Sequence, residues 1–230
     1  MKAPKILVYC GIHRCESFGL LVPRFDSCYG FEADPELAEA ARARFKGFPN
    51  VNIVHAALGE TNGPVTLNIH DSAAATSVGR LGDAYRTATG NKIHPVGQIT
   101  VPGINLYEYL VSRNVEYIDL YQSDIQGMDF AVLRTLAPMI ERRAIRVISC
   151  ETERDDHTFQ SYEGLPSNKQ ARFMGLLDTN YRIVEMQKVM PNWMHQDVTW
   201  RLRFPNSLLW PLRRAGLFRF SETKDSRPPA

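Results

Sequence analysis

The sequence lacks any run of about 18 apolar residues, which excludes a helix that crosses a bilayer. It also lacks a charge imbalance. Its 27 Lys and Arg against 25 Asp and Glu leave a formal charge of +2, so there is no global attraction to nucleic acid, only room for a local patch. Cysteine is sparse, and the four present, Cys10, Cys15, Cys28 and Cys150, include no C-x-x-C pair of the kind a zinc site uses. They fall in or beside apolar runs, where a reduced thiol behaves as a small core hydrophobe, so buried free thiols and a reducing compartment are expected. The opening Met1-Lys2-Ala3-Pro4-Lys5 has no apolar stretch ahead of a small-residue cleavage site; the expectation is a cytoplasmic protein. No G-x-G-x-x-G follows the first apolar run, which weighs against a nicotinamide dehydrogenase.

The composition that is present, 44% hydrophobic and 23% charged, is that of an ordinary globular chain. A chain this long removes roughly 70 to 75% of its unfolded surface from water, so its core needs neither disulfides nor metal. Lys5 to Cys10 is a short apolar run stopped by Gly11, as in a strand buried on both faces. Ser27 to Glu32 is a second strand, and Asp34-Pro35 then opens a helix carrying Leu37, Ala40, Ala41 and Phe45 at helical spacing. Val51 to Ala57 is a third strand, followed by the alternating Val65-Thr66-Leu67-Asn68-Ile69, read as an added hairpin strand. From His70 to Gly97 no period is sustained, and the segment reads as a long excursion with one short helix near Leu81 to Tyr85. Order returns at Ile99-Thr100-Val101, a short helix near Leu106 to Val111 and a strand from Tyr117 to Gln122. A helix through Phe130, Leu133, Leu136 and Ile140, a strand from Ile145 to Cys150, and a helix from Lys169 to Leu177 follow. Tyr181 to Val184 and Val198 to Arg203 close the sheet as antiparallel strands.

Strands alternating with helices predict an α/β, Rossmann-like fold, a mostly parallel sheet with helices on both faces and an antiparallel closing hairpin. The domain is expected over residues 1–204, with a basic-aromatic tail over 205–230. Ligands of such sheets bind outside the carboxyl ends of the strands. That places Gly11 to Ser17, Glu32, Ala57, Asp124 to Gly127 and Glu151 on one rim. Gly11 allows close backbone approach, and Glu32 can accept both hydroxyls of a ribose, so a nucleoside-containing ligand is expected there. Asp124 before Gly127 puts a carboxylate at the cleft, although Ser123 and Asp124 are also good helix caps. Glu151, Glu153, Asp155 and Asp156 read as a solvated acidic loop, with no metal site.

Several segments together carry a family resemblance. Tyr29-Gly30-Phe31-Glu32-Ala33-Asp34-Pro35, then Ala56-Ala57-Leu58-Gly59 leading to Gly63, then Ile118 to Gly127 with Val132-Leu133, and finally Cys150-Glu151, resemble the FkbM family of S-adenosylmethionine-dependent methyltransferases. The resemblance implies a class I methyltransferase fold, S-adenosylmethionine as cofactor, and a hydroxylated small-molecule acceptor such as a saccharide. It implies Glu32 and Ala33 at the ribose, Ala57 and Leu58 beside the adenine, and Gly11, His13, Glu16 and Ser17 beside the methionine end. Asp124, Gln126 and Gly127 would face the reacting centre. The first turn departs from the family pattern, with Tyr9, His13 and Cys15 where an acidic residue, asparagine and a second glycine are usual. Cys15 then puts a side chain where the backbone should be bare, and Glu16 is the candidate to replace the missing acid. The altered turn also leaves open a non-catalytic binding protein on the same fold.

Methyl transfer to a hydroxyl needs alignment and a proton acceptor. Asp124 and His13 are the candidates for that base, with His70 third because it opens the excursion, which is itself the expected lid or acceptor wall. In the tail, Leu208 to Arg214 and Leu217 to Phe220 mix aromatics and arginines that could meet an anionic membrane or a partner, but Pro211 and Gly216 break a long amphipathic helix.

Overall fold

The computed structural model describes residues 4–72, 75–157, 160–188 and 194–203. The first apolar run forms β1 (Ile6–Cys10), in which Leu7, Val8 and Cys10 are fully buried. After α1 (Glu16–Leu21) the chain returns to lay β2 (Ser27–Glu32) parallel to β1. Asp34 caps α2 (Pro35–Arg44): its Oδ1 accepts the N–H groups of Glu36 and Leu37 at 2.8 and 3.0 Å, while Pro35 sits in the first turn, where a missing N–H costs nothing. β3 (Val51–His55) pairs parallel with β2 and ends this half of the sheet.

At Ala56 the chain leaves the main sheet. β4 (Ala57–Gly59), β5 (Gly63–His70) and β7 (Pro95–Asn105) make a separate three-stranded sheet, and β6 (Arg80–Leu81) and α3 (Asp83–Ala88) occupy the excursion between β5 and β7. The expected local hairpin is therefore a long-range pair, with β5 antiparallel to β7 from Gly63 opposite Gly103 to His70 opposite Pro95. Alternation in Val65 to Ile69 says that one face is covered; it does not say which strand lies alongside.

α4 (Leu106–Ser112) leads to β8 (Ile118–Ser123), followed by α5 (Asp129–Thr135) and α6 (Ala137–Glu141) in place of one continuous helix. Pro138 explains the break, because it has no N–H to bond back to the preceding turn. β9 (Ile145–Glu153), β10 (Tyr162–Glu163), α7 (Gln170–Leu177), β11 (Tyr181–Lys188) and β12 (His195–Leu202) complete the order, and β10 pairs with β6. The main sheet has seven strands in the order β11-β12-β9-β8-β1-β2-β3. The five strands from β9 to the β3 edge are parallel, and β12 and β11 close the other side antiparallel. This is the expected Rossmann-like sheet.

The larger core packs α4 to α7 on one face, with Phe173 stacked on Trp200 at 5.6 Å between ring centres. On the opposite face Phe18 meets Tyr9 and Phe45 edge-on at 5.7 and 5.3 Å. All four cysteines are buried and free. No helix among the described residues is long and apolar enough to cross a membrane. The tail from 205 onward, with its membrane and partner readings, lies outside the described residues.

Candidate active site

The strand order reverses between β1 and β8, so the turns leaving these neighbours stand side by side at their carboxyl ends. Gly11 leaves β1 with φ +79°, and a Cβ there would lie 2.0 Å from the carbonyl oxygen of Asp124. No other residue fits so close a crossing. The N–H groups of Gly11 and Ile12 donate to the Phe31 carbonyl at 3.0 and 3.1 Å, tying the turn to β2. His13 and Cys15 follow at φ 47° and 61°, in the left-handed region that a glycine would enter freely. The sequence reading of Cys15 is corrected here: its side chain is buried with Leu7, Tyr9 and Phe18, away from the cleft.

Glu32 ends β2 with both carboxylate oxygens held. Oε2 accepts the His13 N–H at 2.7 Å and Oε1 the Asp34 N–H at 3.0 Å, with the Ala33 N–H as a further donor to the carboxylate. Burial pushes this carboxyl up from its ordinary value, opposed by those backbone hydrogen bonds. Its anchoring fixes where the remaining lone pairs point.

Glu32 lines a cleft of about 280 Å3. Gly11, His13, Glu16 and Ser17 reach the same cleft from the first turn, Ala33 from the loop after β2, Ala57 and Leu58 from β4, and Asp124 and Gln126 from the loop after β8. Two predicted residues do not line it. Gly127, at φ +93°, instead lets Tyr162 pack within 2.9 Å of where a Cβ would be. His70 is buried at the end of β5 and lines a separate hollow with Arg80, Asp83, Arg86 and Glu163, because pairing with β7 carries it there.

Sequence reasoning missed Tyr9, Thr76, Ser77 and Val78, which also line the cleft. The last three belong to the aperiodic excursion, where pattern gives no signal. They are held by Asn68, whose Nδ2 donates to the carbonyls of Ser77, Val78 and Gly79 at 3.3, 3.0 and 3.0 Å, and by Ser77 Oγ donating to the Gln126 carbonyl at 2.7 Å. Thr76 Oγ1 and His13 Nε2 are buried without a hydrogen-bond partner among the described residues. Two orphaned polar atoms in the wall of one cleft are what a bound polar ligand would satisfy. Burial raises the Tyr9 phenol to about 12 against a hydrogen bond with Ser17, so it stands at the cleft as a neutral hydroxyl.

Opposite the Gly11 turn, Asp124 Oδ1 accepts from Gln126 Nε2 at 2.8 Å, and Gln126 Oε1 accepts from the Tyr162 hydroxyl at 2.6 Å. Asp124 meets solvent through the mouth of the cleft yet is ringed by protein. That enclosure, then Glu151, Asp129 and Asp197, holds its carboxyl well above the usual range. Glu151 and Glu153 also depart from the expected solvated loop: both belong to β9, which runs longer than Cys150. Glu151 Oε1 lies 3.1 Å from His195 Nδ1, and buried Glu153 accepts the Ser161 N–H at 2.7 Å. Only Asp155 and Asp156 of the four are exposed.

Behind Asp124, fully buried Asp129 accepts from Ser123 Oγ and from the Ile125 N–H at 3.2 Å. Burial, then Glu151, raises its carboxyl from 3.8 to about 7. Between those values the folded chain binds more protons than the unfolded chain, so this group makes stability fall as pH rises from 3.8 to about 7. Denaturant unfolding at a series of pH values should show that decline flattened in Asp129→Asn; an unchanged slope would assign the decline to other groups.

Against this geometry, the family model described as the methyltransferase FkbM domain matches residues 16–193. No curated protein matches the chain. Among solved structures, M. capricolum TrmK in complex with S-adenosyl-homocysteine is 9% identical with a TM-score of 0.45, covering 86% of this chain and 62% of that one. This chain thus spans less than two thirds of TrmK. An rRNA methylase from Streptococcus thermophilus is 10% identical with a TM-score of 0.48, covering 88% and 89%. The N-terminal domain of EvdMO1, solved in the presence of S-adenosyl-homocysteine and D-fucose, is 13% identical with a TM-score of 0.46, covering 87% and 77%.

Proposed function

The chain belongs to the FkbM methyltransferase family, and from that premise we propose that it transfers the methyl group of S-adenosylmethionine to a hydroxyl of a sugar or glycosylated metabolite. The observation that carries this reading is that Glu32 and Asp124, set by different strands, face one cleft on either side of the Gly11 turn. The cleft fits a nucleoside-bearing cofactor: the anchored Glu32 carboxylate can accept from the ribose, and His13 Nε2 and Thr76 Oγ1 have no hydrogen-bond partner among the described residues. Ala33 stands beside the ribose position, Ala57 and Leu58 offer an apolar wall to the adenine, and Gly11, His13, Glu16 and Ser17 lie at the methionine end. When bound, S-adenosylmethionine supplies an electrophilic methyl carbon. Asp124 accepts the proton of the acceptor hydroxyl as its oxygen becomes the nucleophile, and the surrounding walls hold oxygen and methyl in line.

The excursion contributes Thr76, Ser77 and Val78 to the wall of the cleft, which supports reading it as part of the acceptor side. Glycine-like backbone at His13 and Cys15, with the thiol turned into the core, supports a turn still open to the cofactor, although Tyr9 stands where the family has an acid. Incubation with methyl-labelled S-adenosylmethionine and a panel of free and glycosylated hydroxyl compounds should give a methyl ether, identified by NMR. Label found only on nitrogen or carbon, or none transferred, would contradict the reading.

A further inference from the structure

Three neighbouring strands carry carboxylates at the same level of the sheet. Ser123 pairs with Cys150, which sets Asp124 beside Glu151, and Glu151 pairs with Asp197 on β12. Neighbouring parallel strands lie about 5 Å apart, so three anions in a row repel one another unless something opposes them. The opposing group is His195. Its Nδ1 lies 3.1 Å from Glu151 Oε1, and its Nε2 lies 2.6 Å from Ser161 Oγ. Ser161 Oγ also lies 3.4 Å from Met194 Sδ, and the ring is buried and stacked on Tyr85 with an interplanar angle of 20°.

We propose that His195 is the built-in counter-cation of this acidic rim: as a cation paired with Glu151 it offsets part of the repulsion among the three carboxylates, which makes Asp124 a readier acceptor for the proton of the acceptor hydroxyl. This rests on the functional reading above. His195 touches neither the methyl group nor the acceptor; it is a positioning residue that acts through Glu151. The groups facing it are Glu151 and Glu153 from β9, Asp129 from α5, Tyr85 from α3 and Asp197 on its own strand, with Lys169 Nζ 3.9 Å from Glu153 Oε2. Facing Asp124 are Glu151, Asp129, Asp197, Tyr9, Tyr85 and Tyr162. The acids outnumber the cations in both sets. Burial alone would lower the histidine, yet the Glu151 hydrogen bond and charge carry it above its ordinary value.

During turnover the acceptor O–H bond breaks and its proton goes to Asp124. The oxygen pair forms the new bond to the methyl carbon, and the departing bond's electrons stay with sulfur. If His195 loses its charge, Glu151 and Asp124 compete for one proton, and Asp124 is a base only at higher pH.

The test compares pH profiles of kcat/KM for the full chain and for His195→Gln. The variant should fall about 10-fold below wild type near pH 6 and return to within about twofold near pH 9. An equal loss at every pH would make His195 mere scaffolding and overturn the proposal. A second measurement does not need turnover: the His195 imidazole, identified in NMR by its absence from His195→Gln, should titrate above an ordinary histidine, and Glu151→Gln should bring it down. Ordinary titration in wild type overturns the proposal even with robust methyl transfer. Absence of transfer by wild type instead defeats the functional reading, and the titration still decides the pairing.

Discussion

Asp124→Asn is expected to lower kcat by about 10²- to 10⁴-fold while cofactor affinity changes by no more than a few-fold. The asparagine keeps the shape and the hydrogen bond to Gln126 but cannot take a proton. An aliphatic hydroxyl is too weak an acid to give up its proton unaided, and Asp124, opposite the Gly11 turn, lines the cleft with a lone pair beyond its Gln126 contact. His13 supplies the competing possibility, since its Nε2 has no hydrogen-bond partner among the described residues and the residue lines the same cleft. The two are separated by His13→Gln, which should retain most of the turnover if Asp124 is the base. Steady-state kinetics with calorimetry on both variants checks this. A kcat within about threefold of wild type in Asp124→Asn would remove the base assignment.

Gly11→Ala should cost about 3 kcal/mol or more of stability and abolish saturable cofactor binding. Its left-handed φ costs a side chain about 1 to 2 kcal/mol. The added Cβ would meet the Asp124 carbonyl oxygen at 2.0 Å, a backbone atom that moves only if the loop carrying Asp124 moves too. Cofactor cradle and base would then be displaced together. Gly47→Ala is the control, since a Cβ there meets nothing within 4 Å. A drop in Tm of about 6 to 12 °C for Gly11→Ala beside an unchanged Gly47→Ala is the expected pattern; equal behaviour of the two would show that the turn tolerates rearrangement.

The parallel strands of the main sheet were legible because their cores are short apolar runs, and β2 begins and ends at the residues its pattern predicts; β11 and β12 run further than the apolar stretches that announced them. Glu32 was legible for the same reason, as the charge closing an apolar run. Pairing across the chain was not. Val65 to Ile69 alternates correctly, but its partner β7 is chosen by where β4 leaves the main sheet. That choice took His70 out of the cleft and brought Thr76 and Ser77 in. Glu151 and Glu153 read as solvated because nothing local shows that β12 will lie against them and bring His195, more than forty residues later, within hydrogen-bonding distance. Cys15 is the buried thiol its type suggests, but residue type does not reveal the left-handed backbone that keeps its side chain from crowding the turn.

The central claim is that the Glu32 side of the cleft holds the cofactor. Calorimetric titration of the full chain with S-adenosylmethionine and with S-adenosyl-homocysteine, repeated on Glu32→Gln, tests it most directly. The account predicts saturable binding of both by wild type and affinities weaker by about 10- to 100-fold in Glu32→Gln, the loss expected when charged hydrogen bonds to two hydroxyls are weakened. No heat of binding from either compound at millimolar concentration, or equal affinities for wild type and variant, would contradict it.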